Sequence, residues 1–176
     1  MKIGIIAKSD RPDFVSNLKE IIQWLRDHDC QVLLERRVVQ EFNLQEVVGV
    51  DRQDLSDSAD VIVVFGGDGT LLSVAKMIQG RSAQILGVNL GSLGFLTEVV
   101  LDELYPALEL VLKGEYSVEN RRMLRIDVPV QSGPSKTYHA LNDAVISNQG
   151  ALARIICVKT FVKGEFIARF LADGII

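Results

Sequence analysis

The run Asp60-Val61-Ile62-Val63-Val64-Phe65 is apolar after its first residue, without alternation, and leads straight into Gly66-Gly67-Asp68-Gly69-Thr70. A strand with one face in water alternates apolar and polar residues, whereas a strand covered on both faces does not. The run therefore predicts a central parallel strand with helices on either side. Ile3 to Ala7 and Ile85 to Asn89 repeat the signal, and Gln31 to Glu35 is a further strand candidate. Ser9-Asp10-Arg11-Pro12 has turn and cap composition. From about Asp13, Phe14, Leu18, Ile21, Ile22 and Leu25 recur at three and four residues, as one face of an amphipathic helix does. Leu71, Leu72, Val74, Ala75 and Ile78 predict a second helix, and Leu101 to Lys113 a third that ends at Gly114. Arg36 to Ser58 has no clean period and yields no element. The alternation as a whole implies an α/β domain with a parallel sheet and right-handed crossovers.

The pattern changes near Tyr116. Met123 to Val130, Thr137 to Ser147 and Arg154 to Val162 are strand-like, separated by Gln131-Ser132-Gly133-Pro134-Ser135 and Asn148-Gln149-Gly150, both of turn composition. Lys163-Gly164 predicts a tight hairpin between Phe161-Val162 and Glu165-Phe166. We therefore expect an α/β domain over residues 1–115 and an all-β sandwich domain over residues 116–176. The second is expected to be incomplete, because Leu171-Ala172-Asp173-Gly174-Ile175-Ile176 ends within an apolar strand pattern.

Composition narrows the function classes. With 48% hydrophobic residues among 176, the chain can bury a core. Nineteen basic and 23 acidic residues give a net charge of −4, spread too evenly to predict a nucleic-acid surface. Cys30 and Cys157 have no ligand partner at metal spacing, so they are expected to be thiols in a reducing cytoplasm. The apolar run at the N-terminus is too short for a leader peptide or membrane span, so no membrane partner is expected.

The chemistry is concentrated at the sheet edge. Glycines at 66, 67 and 69 let phosphate approach backbone amides, and the helix that follows adds its N-terminal dipole. Asp68 places a carboxylate in the middle of this anion site. It could orient or deprotonate an attacking hydroxyl, contact a Mg²⁺ that bridges phosphates, or merely cap the helix. No Gly-Lys-Ser/Thr follows, which excludes a Walker loop, and Leu72 stands where a dinucleotide fingerprint would have its third glycine. Past the strand at Ile85, Gly87-Val88-Asn89-Leu90-Gly91-Ser92-Leu93-Gly94-Phe95-Leu96-Thr97-Glu98 forms a second glycine-rich turn at the same edge, so the two can line one crevice. Asn89 offers an amide to a hydroxyl or carbonyl. Phe95 offers a ring to a base, or is a core residue.

Together, in this order, Gly66 to Thr70 and Asn89 to Thr97 resemble the NAD kinase family. The first motif alone is shared with diacylglycerol and sphingosine kinases and resembles 6-phosphofructokinases, which suggests a phosphofructokinase- or flavodoxin-like first domain. Glu119-Asn120-Arg121-Arg122-Met123-Leu124 and Leu141-Asn142-Asp143-Ala144-Val145-Ile146 extend the likeness, although family members commonly carry Asn-Glu where this chain has Asn142-Asp143. Ala172-Asp173-Gly174-Ile175-Ile176 is similar to the strand that leads into a Thr-Gly-Ser-Thr-Ala-Tyr segment in the family.

The resemblance implies transfer of a phosphoryl group from ATP or polyphosphate to the adenosine-ribose 2′-hydroxyl of NAD, with Mg²⁺ or Mn²⁺. Asp68 would be the proton acceptor, and Gly66, Gly67, Gly69 and Thr70 the phosphate loop. Asn142, Asp143, Arg154 and Asp173 would contact the dinucleotide, and a homodimer or homotetramer is the family tendency. From the residues alone, Asn142 and Asp143 could instead pin a strand end, Arg154 could be a solvated residue, and Asp173-Gly174 a turn. A lipid kinase sharing the first loop and a non-catalytic dinucleotide-binding piece are the competing functions.

Overall fold

The computed structural model describes residues 1–8, 14–44, 47–91, 94–148 and 155–176. The chain divides into two compact units, Met1–Asn120 and Arg121–Ile176.

The first unit alternates strands and helices: β1 (Lys2–Ala7), α1 (Phe14–Asp27), β2 (Gln31–Glu35), α2 (Arg36–Glu41), β3 (Gly49–Val50), α3 (Arg52–Ser58), β4 (Val61–Phe65), α4 (Asp68–Met77), β5 (Gln84–Asn89), β6 (Val99–Val100) and α5 (Leu104–Lys113). The strands form one six-stranded sheet in the order β3-β2-β1-β4-β5-β6, and every pairing is parallel. All five residues of β4 are buried, as the unbroken apolar run requires. Val61, Val63 and Phe65 join one core with Phe14, Leu18 and Leu25 of α1 and Leu104 and Leu108 of α5. Ile62 and Val64 join the opposite core with Leu55 of α3 and Leu71 and Val74 of α4. Each such side chain contributes about 1.5–3 kcal/mol by leaving water, so β4 anchors both helical layers.

The stretch that showed no period, Arg36 to Ser58, holds α2, β3 and α3. These are six, two and seven residues long, too short for a period to emerge. In α5, Pro106 is the third residue, where the missing N–H has no intrahelical acceptor to serve. The helix ends at Gly114 with φ 72°, and the Glu115 amide donates back to the Leu110 carbonyl.

The second unit is built from antiparallel pairs: β7 (Leu124–Val128) with β8 (Lys136–Ala140), β9 (Ile146–Ser147) with β12 (Gly174–Ile175), and β10 (Ile156–Val162) with β11 (Glu165–Ala172). Lys163 and Gly164, at φ 51° and 87°, make the left-handed turn expected between β10 and β11. The expected continuous strand from Thr137 to Ser147 is instead broken between β8 and β9, at the residues that include Asn142-Asp143. Asn and Asp favour local turns over a ladder, which accounts for the break. Among the described residues, no helix is long and apolar enough to cross a membrane.

Candidate active site

The sheet order reverses between β1 and β4: β2 and β3 lie beyond β1, and β5 and β6 beyond β4. In open parallel sheets, the crevice at the carboxyl ends of the two strands flanking such a reversal is the usual ligand site. The Gly66 to Thr70 turn stands there. It is tied on both sides, since the Lys8 amide donates to the Phe65 carbonyl at 3.0 Å and the Gly66 amide to the Val88 carbonyl at 3.0 Å. Gly66 has φ 154°, and a Cβ there would lie 2.6 Å from Thr70 Oγ1, so the turn itself requires this glycine.

Gly67 and Gly69 differ from Gly66. Neither has a left-handed φ, and a Cβ at either would meet nothing within 4 Å. The protein's own packing does not require glycine at these two positions. What they leave is open space over the start of α4, where first-turn amides point outward and the helix dipole is positive.

Asp68 is the first residue of α4, and both of its carboxylate oxygens are held by the second loop. The Phe95 amide donates to Oδ2 at 3.0 Å and the Leu96 amide to Oδ1 at 3.1 Å. Gly94 makes room for this approach, because a Cβ there would fall 2.8 Å from Asp68 Cγ. The second loop is closed at its base by Asn89, whose Nδ2 donates to Thr97 Oγ1 at 2.9 Å and whose Oδ1 accepts the Gly91 amide at 2.7 Å. Asn89 and Thr97 are both buried. The two glycine-rich turns thus form one crevice joined through Asp68.

The other residues singled out from the sequence fall in different places. Asn89 faces inward and secures its own loop, so the amide expected to meet a ligand is used within the protein. Phe95 is 98% exposed, which removes the core reading and leaves its ring free at the mouth of the crevice. In the second unit, Asn142 and Asp143 are exposed in the break before β9, and Asp173 is exposed between β11 and β12. The Asn148 amide donates to the Asp173 carbonyl at 3.3 Å, so the β9–β12 pair brings Asp173 to the end of the segment that follows Asn142-Asp143. Arg154 lies outside the described residues. Gly94 and Thr97 were not singled out from the sequence; nothing in a linear pattern reveals an approach to Asp68 or a pairing across eight residues. Burial raises the titration of Cys30 and Tyr105, and a hydrogen bond from Thr137 lowers that of Asp127; none of these groups belongs to the two loops.

The model of the ATP-NAD kinase N-terminal domain matches residues 3–116, which include both loops. The chain belongs to the NAD kinase family. An NAD kinase of Geotalea daltonii is 45% identical over 175 residues, covering 99% of this chain and 61% of that protein. An NAD kinase of Geobacter metallireducens is 46% identical over 175 residues, covering 99% of this chain and 60% of that protein. This NAD kinase family chain thus spans about three fifths of the length of the curated relatives it matches. The crystal structure of yeast NADH kinase complexed with NADH superimposes with a TM-score of 0.85 at 24% identity, covering 99% of this chain and 56% of that one. At that identity the superposition establishes the shared fold.

Proposed function

We propose that the protein is an NAD kinase, moving the terminal phosphoryl group of ATP, another nucleoside triphosphate or polyphosphate onto the 2′-hydroxyl of the adenosine ribose of NAD. The observation that carries this reading is a carboxylate, Asp68, fixed by two backbone amides beside an open glycine cradle at the switch point of the sheet. Phosphoryl transfer needs little covalent chemistry from a protein; it needs positioning and charge stabilisation. Gly67 and Gly69 admit phosphate oxygens to the α4 amides, while Gly66 and Thr70 hold the shape of the turn. Each Asp68 oxygen accepts one amide and keeps further acceptor capacity, so the carboxylate can take the hydroxyl proton. As it does so, the ribose oxygen bonds to phosphorus, and the bond from phosphorus to the leaving diphosphate oxygen breaks.

Phe95 offers a stacking face to a base at the crevice mouth, and Asn142, Asp143, Arg154 and Asp173 are the further dinucleotide contacts. Asn89 acts at one remove, by shaping the loop that holds Asp68. Among the described residues, no cluster of three acidic, His or Cys side chains could cage a metal ion. A Mg²⁺ or Mn²⁺ bound mainly through phosphate oxygens needs only one or two carboxylates, and Asp68 suits that role. When bound, such an ion neutralises charge on the transferring phosphoryl group. A cytoplasmic homodimer or homotetramer is the setting this reading carries.

Protein expressed from its natural reading frame, incubated with NAD and Mg²⁺-ATP, is expected to form NADP. Asp68→Asn should lower the rate by about 10²–10⁴-fold, the usual contribution of a positioned proton acceptor. Wild-type protein that forms no NADP with ATP, other nucleoside triphosphates or polyphosphate would overturn the proposal.

A further inference from the structure

We propose that Lys8 binds the phosphate chain of the phosphoryl donor, on the side of the glycine turn away from Phe95; this rests on the kinase reading above and adds a residue to it. The two loops are electrostatically incomplete for such a ligand. Residues 66–75 and 87–98 contain no Lys or Arg, and Asp68 adds a negative charge at the centre. Lys76 lies in the last turn of α4, at the far end from the cradle. The cation must come from another element.

Strand pairing supplies one. β1 and β4 run in parallel register with Ala7 opposite Phe65, so Lys8 falls opposite Gly66, and a Cβ on Gly66 would sit 3.4 Å from the Lys8 carbonyl oxygen. Side chains alternate between the faces of a sheet. Ala7 and Phe65 enter the core under α1, whereas Ile6 and Val64 enter the opposite core, covered by α3 and α4 together. Lys8 follows Ala7 and so leaves the strand on the α3–α4 face, with its backbone alongside the glycine turn from which α4 starts. It is exposed, and among the described residues it has no carboxylate partner.

The same topology separates donor from acceptor. β1 and β5 flank β4 on opposite sides, and the Asp68 carboxylate is held toward the loop that follows β5. On the kinase reading, the exposed Phe95 ring of that loop takes the base of the acceptor, which sets the hydroxyl that gives its proton to Asp68 on the β5 side of the turn. In-line transfer places the leaving oxygen across the phosphorus from the attacking one, which puts the rest of the donor on the β1 side with Lys8. A lysine ammonium serves phosphate there as a point charge.

The test compares Lys8→Ala and Lys8→Arg with wild type in steady-state NADP formation and in calorimetric titration with inorganic tripolyphosphate. Lys8→Ala should raise the KM for ATP by about tenfold or more, as loss of a charge-assisted contact does, leave the KM for NAD near wild type and weaken tripolyphosphate binding in parallel. Lys8→Arg should restore most of both. Thermal melting should not change, since the side chain is exposed. A KM for ATP and tripolyphosphate affinity unchanged in Lys8→Ala, or an effect confined to the KM for NAD, would overturn the assignment. If wild type makes no NADP but binds tripolyphosphate in a Lys8-dependent way, the kinase reading fails and the phosphate assignment stands.

Discussion

Asn89 Nδ2 donates to Thr97 Oγ1 at 2.9 Å in a buried position, and this contact closes the loop whose Phe95 and Leu96 amides hold Asp68. Thr97→Val keeps the shape of the side chain but deprives Asn89 Nδ2 of this acceptor. A buried polar group that loses a partner costs about 1–3 kcal/mol, so a drop of several degrees in melting temperature is expected. Misplacing a catalytic group by about 1 Å can cost on the order of 10²-fold, so kcat should fall far more than KM for either substrate rises. Thr97→Ser, which keeps the hydroxyl, should recover most of the rate. A Thr97→Val protein with wild-type kcat would mean that the loop base does not position Asp68.

A substitution at Gly69 tests ligand binding apart from folding. A Cβ there meets no protein atom within 4 Å, and the residue lies inside α4, where alanine is favoured over glycine by roughly 0.5–1 kcal/mol. Gly69→Ala is therefore expected to melt at or slightly above the wild-type temperature while losing affinity for phosphate-bearing substrates, because the methyl group fills the space over the helix amides. Thermal melts with and without ATP should show this as a normal apo transition and a reduced ligand-induced shift. A shift equal to wild type would mean that phosphate does not approach at Gly69.

Much of this was legible in the residues, and the limits have physical causes. β4 was legible because burial on both faces leaves an unbroken apolar run, and α1 because fourteen residues are enough to display a helical period. α2 and α3 were not, since six or seven residues packed by one or two side chains leave no repeat. Asp68 stood out as a carboxylate among glycines, yet its partners are backbone amides 27 and 28 residues away that no side-chain pattern encodes. Asn89 shows the same limit: the residue type suggests an amide available to a ligand, and only the fold reveals that Thr97, eight residues on, accepts its hydrogen bond. Lys8 follows an ordinary apolar strand. Only the strand order, which places β1 beside β4, gives it significance.

The second unit should carry a specific acid sensitivity. Asp127 and Thr137 are paired across β7 and β8, and Thr137 Oγ1 donates to Asp127 Oδ1 at 2.6 Å. That hydrogen bond is the main reason the Asp127 carboxyl lies below its ordinary range, with Arg125 and His139 adding smaller effects in the same direction. A carboxyl lowered in the folded state stabilises the fold fully above its unfolded value, about 3.9, and the contribution is lost as pH falls through the lower folded value. Wild type should therefore lose β7–β8 protection on acidification below about pH 4 more steeply than Asp127→Asn, while above about pH 5 this residue should add no pH dependence to either. Hydrogen exchange of the β7 and β8 amides across this range would measure the difference. Because Asp127 is solvent-exposed, added salt should diminish the Arg125 share and leave the Thr137 share in place. Parallel acid profiles for wild type and Asp127→Asn would show that the hairpin does not depend on the ionised carboxyl.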